Sequence, residues 1–310
     1  MSLHKEISFE DDVCNYLRDH GWLYADGDAA QYDRALGLFP PDVCSWVQQG
    51  YPLTWESLEK NHGAKAGEIL LARLREQMNA RDTLDVLRHG IEMIGLRQRL
   101  PLAQFKPALA MNPDILARYD ANRLRVIRQV RYSLQNENCL DLVLFLNGIP
   151  VATVELKTDF TQSVQDAVDQ YRFDRLPRPK GGTAEPLLSL PSGALVHFAV
   201  SNSEVMMTTM LVGPGTDFLP FNKGDGGAKG NPPNPHGHPT AYLWEEVWAR
   251  DSWLEILGRY LVAEKDSKKQ IKNVIFPRYH QLDATRKLVA DVYEHGSGGK
   301  YLIQIGRAHV

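Results

Sequence analysis

Cysteine is scarce in this 310-residue chain: Cys14, Cys44 and Cys139 are three, an odd number, and lie far apart. That excludes a dense disulfide framework and offers no metal-ligand spacing, so the three read as reduced structural thiols rather than zinc ligands. Long apolar runs are missing too. No stretch approaches the roughly 18 consecutive apolar residues of a membrane span, and the start, MSLHKEISFEDDV, lacks the apolar core of a signal peptide. A cytoplasmic protein without a membrane partner is the expectation. Excess positive charge is absent as well: the net charge is -3, so any nucleic-acid contact must rest on local basic patches. A nucleotide loop also fails. GSGGKY near the end lacks the G-x-x-x-x-G-K-[ST] spacing and precedes an expected strand instead of following one. What is present is ordinary globular composition, 43% hydrophobic and 24% charged, in a length that suits one large domain or one domain plus a fragment.

The N-terminal third reads as largely helical. FEDDVCNYLRDHGWLY has apolar residues at helical spacing up to Gly21, and further helices are expected at about 41 to 48, 54 to 60, 65 to 78 and 82 to 91. From Leu124 the period changes. RVIRQVRYS alternates as a strand, a hairpin follows, and DFTQSVQDAVDQYRFDR reads as an amphipathic helix with Thr161 or Ser163 near its cap. ALVHFAVSN, nearly continuously apolar, predicts a central strand of the same sheet. Pro177 to Pro191 and Gly213 to Pro239 are Gly- and Pro-rich and read as loops. His236 and His238 in the second are expected to be solvated. AYLWEEVWARDSWLEILGRYL predicts a strong helix, and EKDSKKQIKN, at 264 to 273, predicts a charged linker and a domain boundary.

The hairpin LDLVLFLNGIPVATVELK carries Asp141, Glu155 and Lys157 where an apolar passage should carry no charge. Its Asn147-Gly148 turn signal and Val- and Leu-rich arms mark it as buried. Burying two carboxylates and an ammonium costs several kcal/mol unless they are paired or bind a metal. A buried ion pair of Lys157 with Glu155 or Asp141 is one solution. The other is chemical: two carboxylates can hold Mg²⁺, and a lysine two residues on can orient a water or stabilise a developing oxyanion. The second solution has a geometric condition. A plain two-residue turn pairs Leu146 with Ile149 and puts Asp141 and Glu155 on opposite faces, whereas an odd loop or a bulge puts both with Lys157 on one face.

The hairpin resembles the PD-(D/E)xK nuclease core, with Leu140-Asp141 as the first half-motif and Glu155-Leu156-Lys157 as the second. The longer text, QVRYSLQNENCLDLVLFLNGIPVATVELK followed by QDAVDQYRFDR, is similar to the N-terminal nuclease domain of the restriction (motor) subunit of type I restriction enzymes. The likeness extends through DGDAAQYDRALGLFP and FPRYHQLDATRKLV, almost the whole chain. It implies an α/β, restriction-endonuclease-like mixed sheet flanked by helices, in which Asp141 and Glu155 bind Mg²⁺ and Lys157 is catalytic. Glu10 on the first helix is the matching auxiliary acid. It reads equally as a solvated carboxylate favoured by the helix dipole. Many members carry a Q-x-x-x-Y motif after the lysine. Here Tyr171 directly follows Gln170, so the pair reads as a support or DNA contact, or as a Tyr packed on the sheet. Gln281 matches an adenine-reading glutamine of a superfamily 2 helicase-like motor.

The resemblance thus implies an endonuclease domain over 1-263, with a helical part to about 120, a nuclease core at about 121-212 and a loop and helix at 213-263. A linker and the truncated start of a motor fill 264-310, ending in IGRAHV, which differs from the family and reads as a foreign tail. The implied function is Mg²⁺-dependent cleavage of duplex DNA, driven in the full-length enzyme by ATP-powered translocation and served by separate modification and specificity subunits. The fragment itself is expected to lack ATPase activity. RLRVIRQVR at 123 to 131 and RFDRLPRPK at 172 to 180 could track phosphates, or equally be the wet face of their elements. A non-catalytic docking module of that complex and a stand-alone repair-type nuclease are the alternative readings.

Overall fold

The computed structural model describes the chain except Met1, residues 108-111, Thr161, 268-270 and 304-310, and the side chains of residues 2-6. Among the described residues six α-helices precede the first strand: α1 (Ser2–Asp19), α2 (Pro40–Gly50), α3 (Pro52–His62), α4 (Ala66–Arg81), α5 (Thr83–His89) and α6 (Pro113–Asp120). Their starts follow local chemistry. Pro sits in the first turn of α2, α3 and α6, where its missing N–H costs nothing, and Asn112 caps α6 by accepting from Asp114 and Ile115. In α1, Phe9, Val13 and Leu17 recur every four residues and are buried together.

The sheet has six strands in sequence order: β1 (Leu124–Arg131), β2 (Cys139–Leu146), β3 (Ile149–Leu156), β4 (Val196–Val200), β5 (Val205–Thr208) and β6 (Leu219–Pro220). β3 and β4 run parallel and the other neighbours antiparallel. Between them, α7 (Val164–Asp169) crosses one face. Ser163 is its N-cap, with its N–H and hydroxyl donating to Asp166 Oδ2, while Thr161 lies outside the described residues. Each face of the sheet has its own core. Leu142, Leu144, Ala152, Val154, Val196 and Phe198 join the N-terminal helices and the Trp-rich segment after 240. Ile127, Val143, Phe145, Val168, Tyr171 and Ala199 form the opposite core, under α7.

The hairpin that carries the charges has the expected turn and an added irregularity. Asn147 (φ 50°) and Gly148 (φ 79°) form a two-residue turn with both residues left-handed. Leu146 pairs with Ile149 and Phe145 with Pro150, but Leu144 pairs with Ala152, so Val151 is an extra, bulged residue. Pro150 explains the position, because a residue without an N–H is confined to edges and bulges.

Four expectations need correction. The helix expected over 241-261 is interrupted at Trp248 and Ala249, giving a wide turn over Leu243–Val247 and then α8 (Arg250–Glu255). Ala249 is extended there (ψ 136°), which lets Trp248 and Trp253 both bury fully. The charged stretch 264-273 is not an open linker: β7 (Val262–Lys265) pairs with β8 (Ile271–Ile275) as an antiparallel hairpin. Glu264, Lys265 and Lys272 are exposed while Val274 is buried. α9 (Tyr279–His295) follows and packs its first turns onto the same body, with Leu282 buried and Arg286 on Glu255 at 2.9 Å. His238, expected in solvent, is instead wedged in place. Its ring lies 4.6 Å from that of Phe9, and its nitrogens meet Asn202 at 2.9 Å and Asp12 at 3.3 Å. Residues 301-303 form no strand, and the IGRAHV tail lies outside the described residues.

Candidate active site

The bulge at Val151 sets which charges meet. From Leu142↔Val154 the ladder continues one step to place Asp141 opposite Glu155, and opposed residues of an antiparallel pair share a face. The register condition is therefore met by a bulge. The two acids differ in surroundings. Asp141 is half-buried, and its Oδ2 accepts from the Leu156 N–H at 2.7 Å. Glu155 is fully buried; its Oε1 accepts from Arg175 Nε at 2.6 Å, and its Oε2 has no hydrogen-bond partner. Burial and the charge of Asp141 push the Glu155 carboxyl well above its usual range, while Arg175 and Lys157 favour the ionised form. Lys157 is 6% exposed, two residues further along the same face, and its N–H donates to Val200 O at 2.8 Å.

Glu10 reaches this cluster from α1. It is buried rather than solvated, held by Gln129 Nε2 on Oε1 at 2.8 Å and Arg128 on Oε2 at 3.0 Å. The Gln129 amide also lies 3.4 Å from Asp141 Oδ1, so it bridges the two acids. Burial and Asp141 together raise the Glu10 carboxyl above its ordinary value. Gln129 occupies a left-handed conformation (φ 51°) inside β1, a strained setting for a non-glycine residue that commonly marks a functional position.

Gln170 and Tyr171 lie beneath this surface. Tyr171 is fully buried and shares a hydrogen bond of 2.8 Å with Thr153 Oγ1, which also meets His197 Nδ1 at 2.7 Å. Burial lowers His197 to about 3, so the ring is neutral in this network. Tyr171 thus has no surface to offer DNA and stands as a support beneath β3. Gln170 ends α7 in a wide turn, its carbonyl accepting from the Arg175 N–H at 2.9 Å, and its side-chain oxygen is buried without a partner. That turn aims Arg175 at Glu155. Gln281, by contrast, is exposed at the start of α9, where its side chain accepts from the Arg278 N–H.

Arg175, Arg128 and Gln129 were not singled out as site residues in the sequence. The two arginines lie in stretches read as phosphate-tracking, and both turn inward instead. A signal for Gln129 existed: it is a polar residue placed opposite Asp141 in the β1–β2 register. No signal of spacing could have paired Arg175 with Glu155, because a widened turn sets its direction.

Among the described residues no trio of His, Cys, Asp or Glu forms a ready-made metal cage. The acids still suit a hard cation that keeps most of its water and takes one or two carboxylates. The partnerless Glu155 Oε2, facing the same side as Asp141, is the atom that such a cation would complete.

A mixed sheet flanked by helices, with two acids brought together on a bulged hairpin and a lysine two residues on, is a restriction-endonuclease-like α/β fold. The family model described as the type I restriction enzyme R protein N terminus matches residues 45-215, more than half of the chain, and the protein belongs to that family. Asp141, Glu155, Lys157, Gln170, Tyr171 and Arg175 fall inside the matched segment, and Glu10 lies before it. Comparison with curated proteins returns no match. Among the described residues no helix is long and apolar enough to cross a membrane.

Proposed function

We propose that this chain is a Mg²⁺-dependent endonuclease domain that hydrolyses phosphodiester bonds of duplex DNA. The observation that carries the reading is the bulge-set pairing of Asp141 with Glu155, which leaves one buried carboxylate oxygen without a partner. Asp141 and Glu155 would hold the cation, with Glu10 an auxiliary acid linked through Gln129. Bound there, Mg²⁺ supplies an acidified water and neutralises phosphate charge. The Lys157 ammonium lies on the same face, where it can orient the attacking water or hold the oxyanion. Arg175 keeps Glu155 turned toward the site and favours its ionised form. Thr153 and Tyr171 brace the strand below. In the whole enzyme this cleavage would serve a cytoplasmic restriction complex with modification and specificity subunits and an ATP-driven motor.

The test is binding before activity. Mn²⁺ at about 100 times its Kd should stabilise the folded chain by about 2.7 kcal/mol, a rise of several degrees in Tm. Glu155→Ala should abolish that rise. A wild-type chain that gains nothing from Mg²⁺ or Mn²⁺ overturns the reading.

A further inference from the structure

The basic stretches at 123-131 and 172-180 turn largely into the fold. Arg123 and Arg125 pair with Asp42, Arg128 with Glu10 and Asp11, and Arg175 with Glu155, while Arg172 donates to Thr216 O. Arg131, like Arg178 and Lys180 of the second stretch, is exposed instead. It ends β1 with its side chain 64% exposed and pairs with Glu137 at 3.0 Å. Glu137 also takes both terminal nitrogens of Arg34, each at 3.2 Å. One exposed carboxylate therefore bridges two guanidinium groups that come from separate parts of the chain.

These arginines line a cleft of about 330 Å³ together with Ala29, Ala30, Tyr32 and Gln129. Gln129 is the residue whose amide bridges Glu10 and Asp141, so the cleft opens directly beside the acid cluster. Tyr32 on its wall keeps a buried hydroxyl without a hydrogen-bond partner. The Arg34 pair holds the Glu137 carboxyl below its usual range. A carboxylate that offers two oxygens to two guanidinium groups presents the same acceptor pattern as a phosphodiester, which arginine also binds in bidentate fashion.

We propose that the cleft between Arg34 and Arg131 binds a DNA backbone phosphate next to the one that is cut, and that Glu137 occupies this position in the free protein. The identity of the ligand rests on the nuclease reading above. Duplex DNA displaces Glu137, and the two arginines set where the strand lies against Asp141 and Glu155. Glu137 thereby weakens the binding of any duplex that must displace it from the cleft.

The test is duplex binding by fluorescence anisotropy across a salt series, without divalent cation, so that it does not depend on the metal site. Arg34→Ala and Arg131→Ala should each weaken binding and lower the slope of log K against log salt by about 0.9, the value for one lost phosphate contact. Glu137→Gln should tighten binding by between about 1.5- and 5-fold, the range of one exposed ion pair. Glu59→Gln, the same charge change on an exposed part of α3, should not. Glu137 is 67% exposed, so its variant folds, and an unchanged Tm checks this. The proposal falls if Glu137→Gln binds no tighter than Glu59→Gln, if both arginine variants keep the wild-type affinity and slope, or if the wild type binds no duplex. All these variants should keep the Mn²⁺ stabilisation. Its loss in the wild type would overturn the nuclease reading separately, with the cleft still judged by the salt series.

Discussion

Arg175 places a guanidinium on a carboxylate with no solvent contact, and its own side chain is only 11% exposed. Removing one partner of such a pair costs about 3-5 kcal/mol, because the other charge stays buried. Arg175→Ala should therefore lower stability by that order at pH 7, measured by urea denaturation. The loss should depend on pH. Without Arg175 the Glu155 carboxyl, already raised by burial and Asp141, rises further. A raised acid favours the folded state below its unfolded value, near 4.5, and this advantage disappears as pH rises through the folded value. The deficit of Arg175→Ala should shrink as pH falls from 7 toward 5. An equal deficit at both values would show that Glu155 stays charged in the variant. The same competition with protons acts on the metal: wild-type Mn²⁺ affinity should climb with pH through a midpoint above the ordinary carboxylate range. At this scale the sequence offered Asp141, Glu155 and Lys157 as charges in an apolar passage, and Glu10 by resemblance. It could not offer Arg175, which lies 20 residues beyond Glu155 and meets it only through the turn that ends α7.

The hairpin is the element on which the site depends. Its turn was legible, because Asn-Gly is the pair that tolerates two left-handed residues in succession. Its face assignment was legible only as a condition, since a one-residue slip moves every side chain to the other side. Val151 meets the condition as a bulge after Pro150. Gly148 does a second job, packing against α2. A Cβ there would stand 2.4 Å from Phe39 O and 2.6 Å from a Val43 methyl. Gly148→Ala combines a left-handed penalty of about 1-2 kcal/mol with overpacking of about 1-3 kcal/mol. A loss of about 2-5 kcal/mol in urea unfolding is expected, and a loss below 1 kcal/mol would show that α2 yields freely. The segments 241-261 and 264-273 were misread at this same scale. Helical periodicity cannot show that Ala249 leaves the helix so that two tryptophans bury, nor does a run of charges show whether its backbone finds a partner strand.

Across the whole molecule, the β7–β8 hairpin and the start of α9 belong to the packed body. Phe276 sits among Phe198, Phe221 and Trp253, with ring centroids 5.9 to 6.1 Å apart, and is 4% exposed. Phe276→Ala should cost about 3-5 kcal/mol, the usual range for an aromatic core truncation. A drop in Tm of the whole chain, seen in one cooperative transition, is the expected result. A separate low-temperature transition for the C-terminal segment would contradict this packing. The Gly/Pro loop is tied in likewise, since His238 seats against Phe9 on the helix that supplies Glu10. Composition alone gave no sign of this anchor, which depends on three aromatic side chains meeting from distant parts of the chain.

The sequence by itself determined the local alphabet of this protein: the helical first third, the strand-hairpin-helix order, the Asn147-Gly148 turn and three charges that an apolar hairpin could not carry without a purpose. Periodicity and turn chemistry act within a few residues, so they can be read without the fold. The tertiary structure alone decided which charges share a face, that Glu10 is buried beside them, that Arg175 and Arg128 turn inward, and that Arg131 remains with Arg34 at a cleft. Those outcomes depend on one bulged residue, one widened turn and one left-handed glutamine. Each is a shift of a single residue in a backbone whose consequences appear only across the sheet.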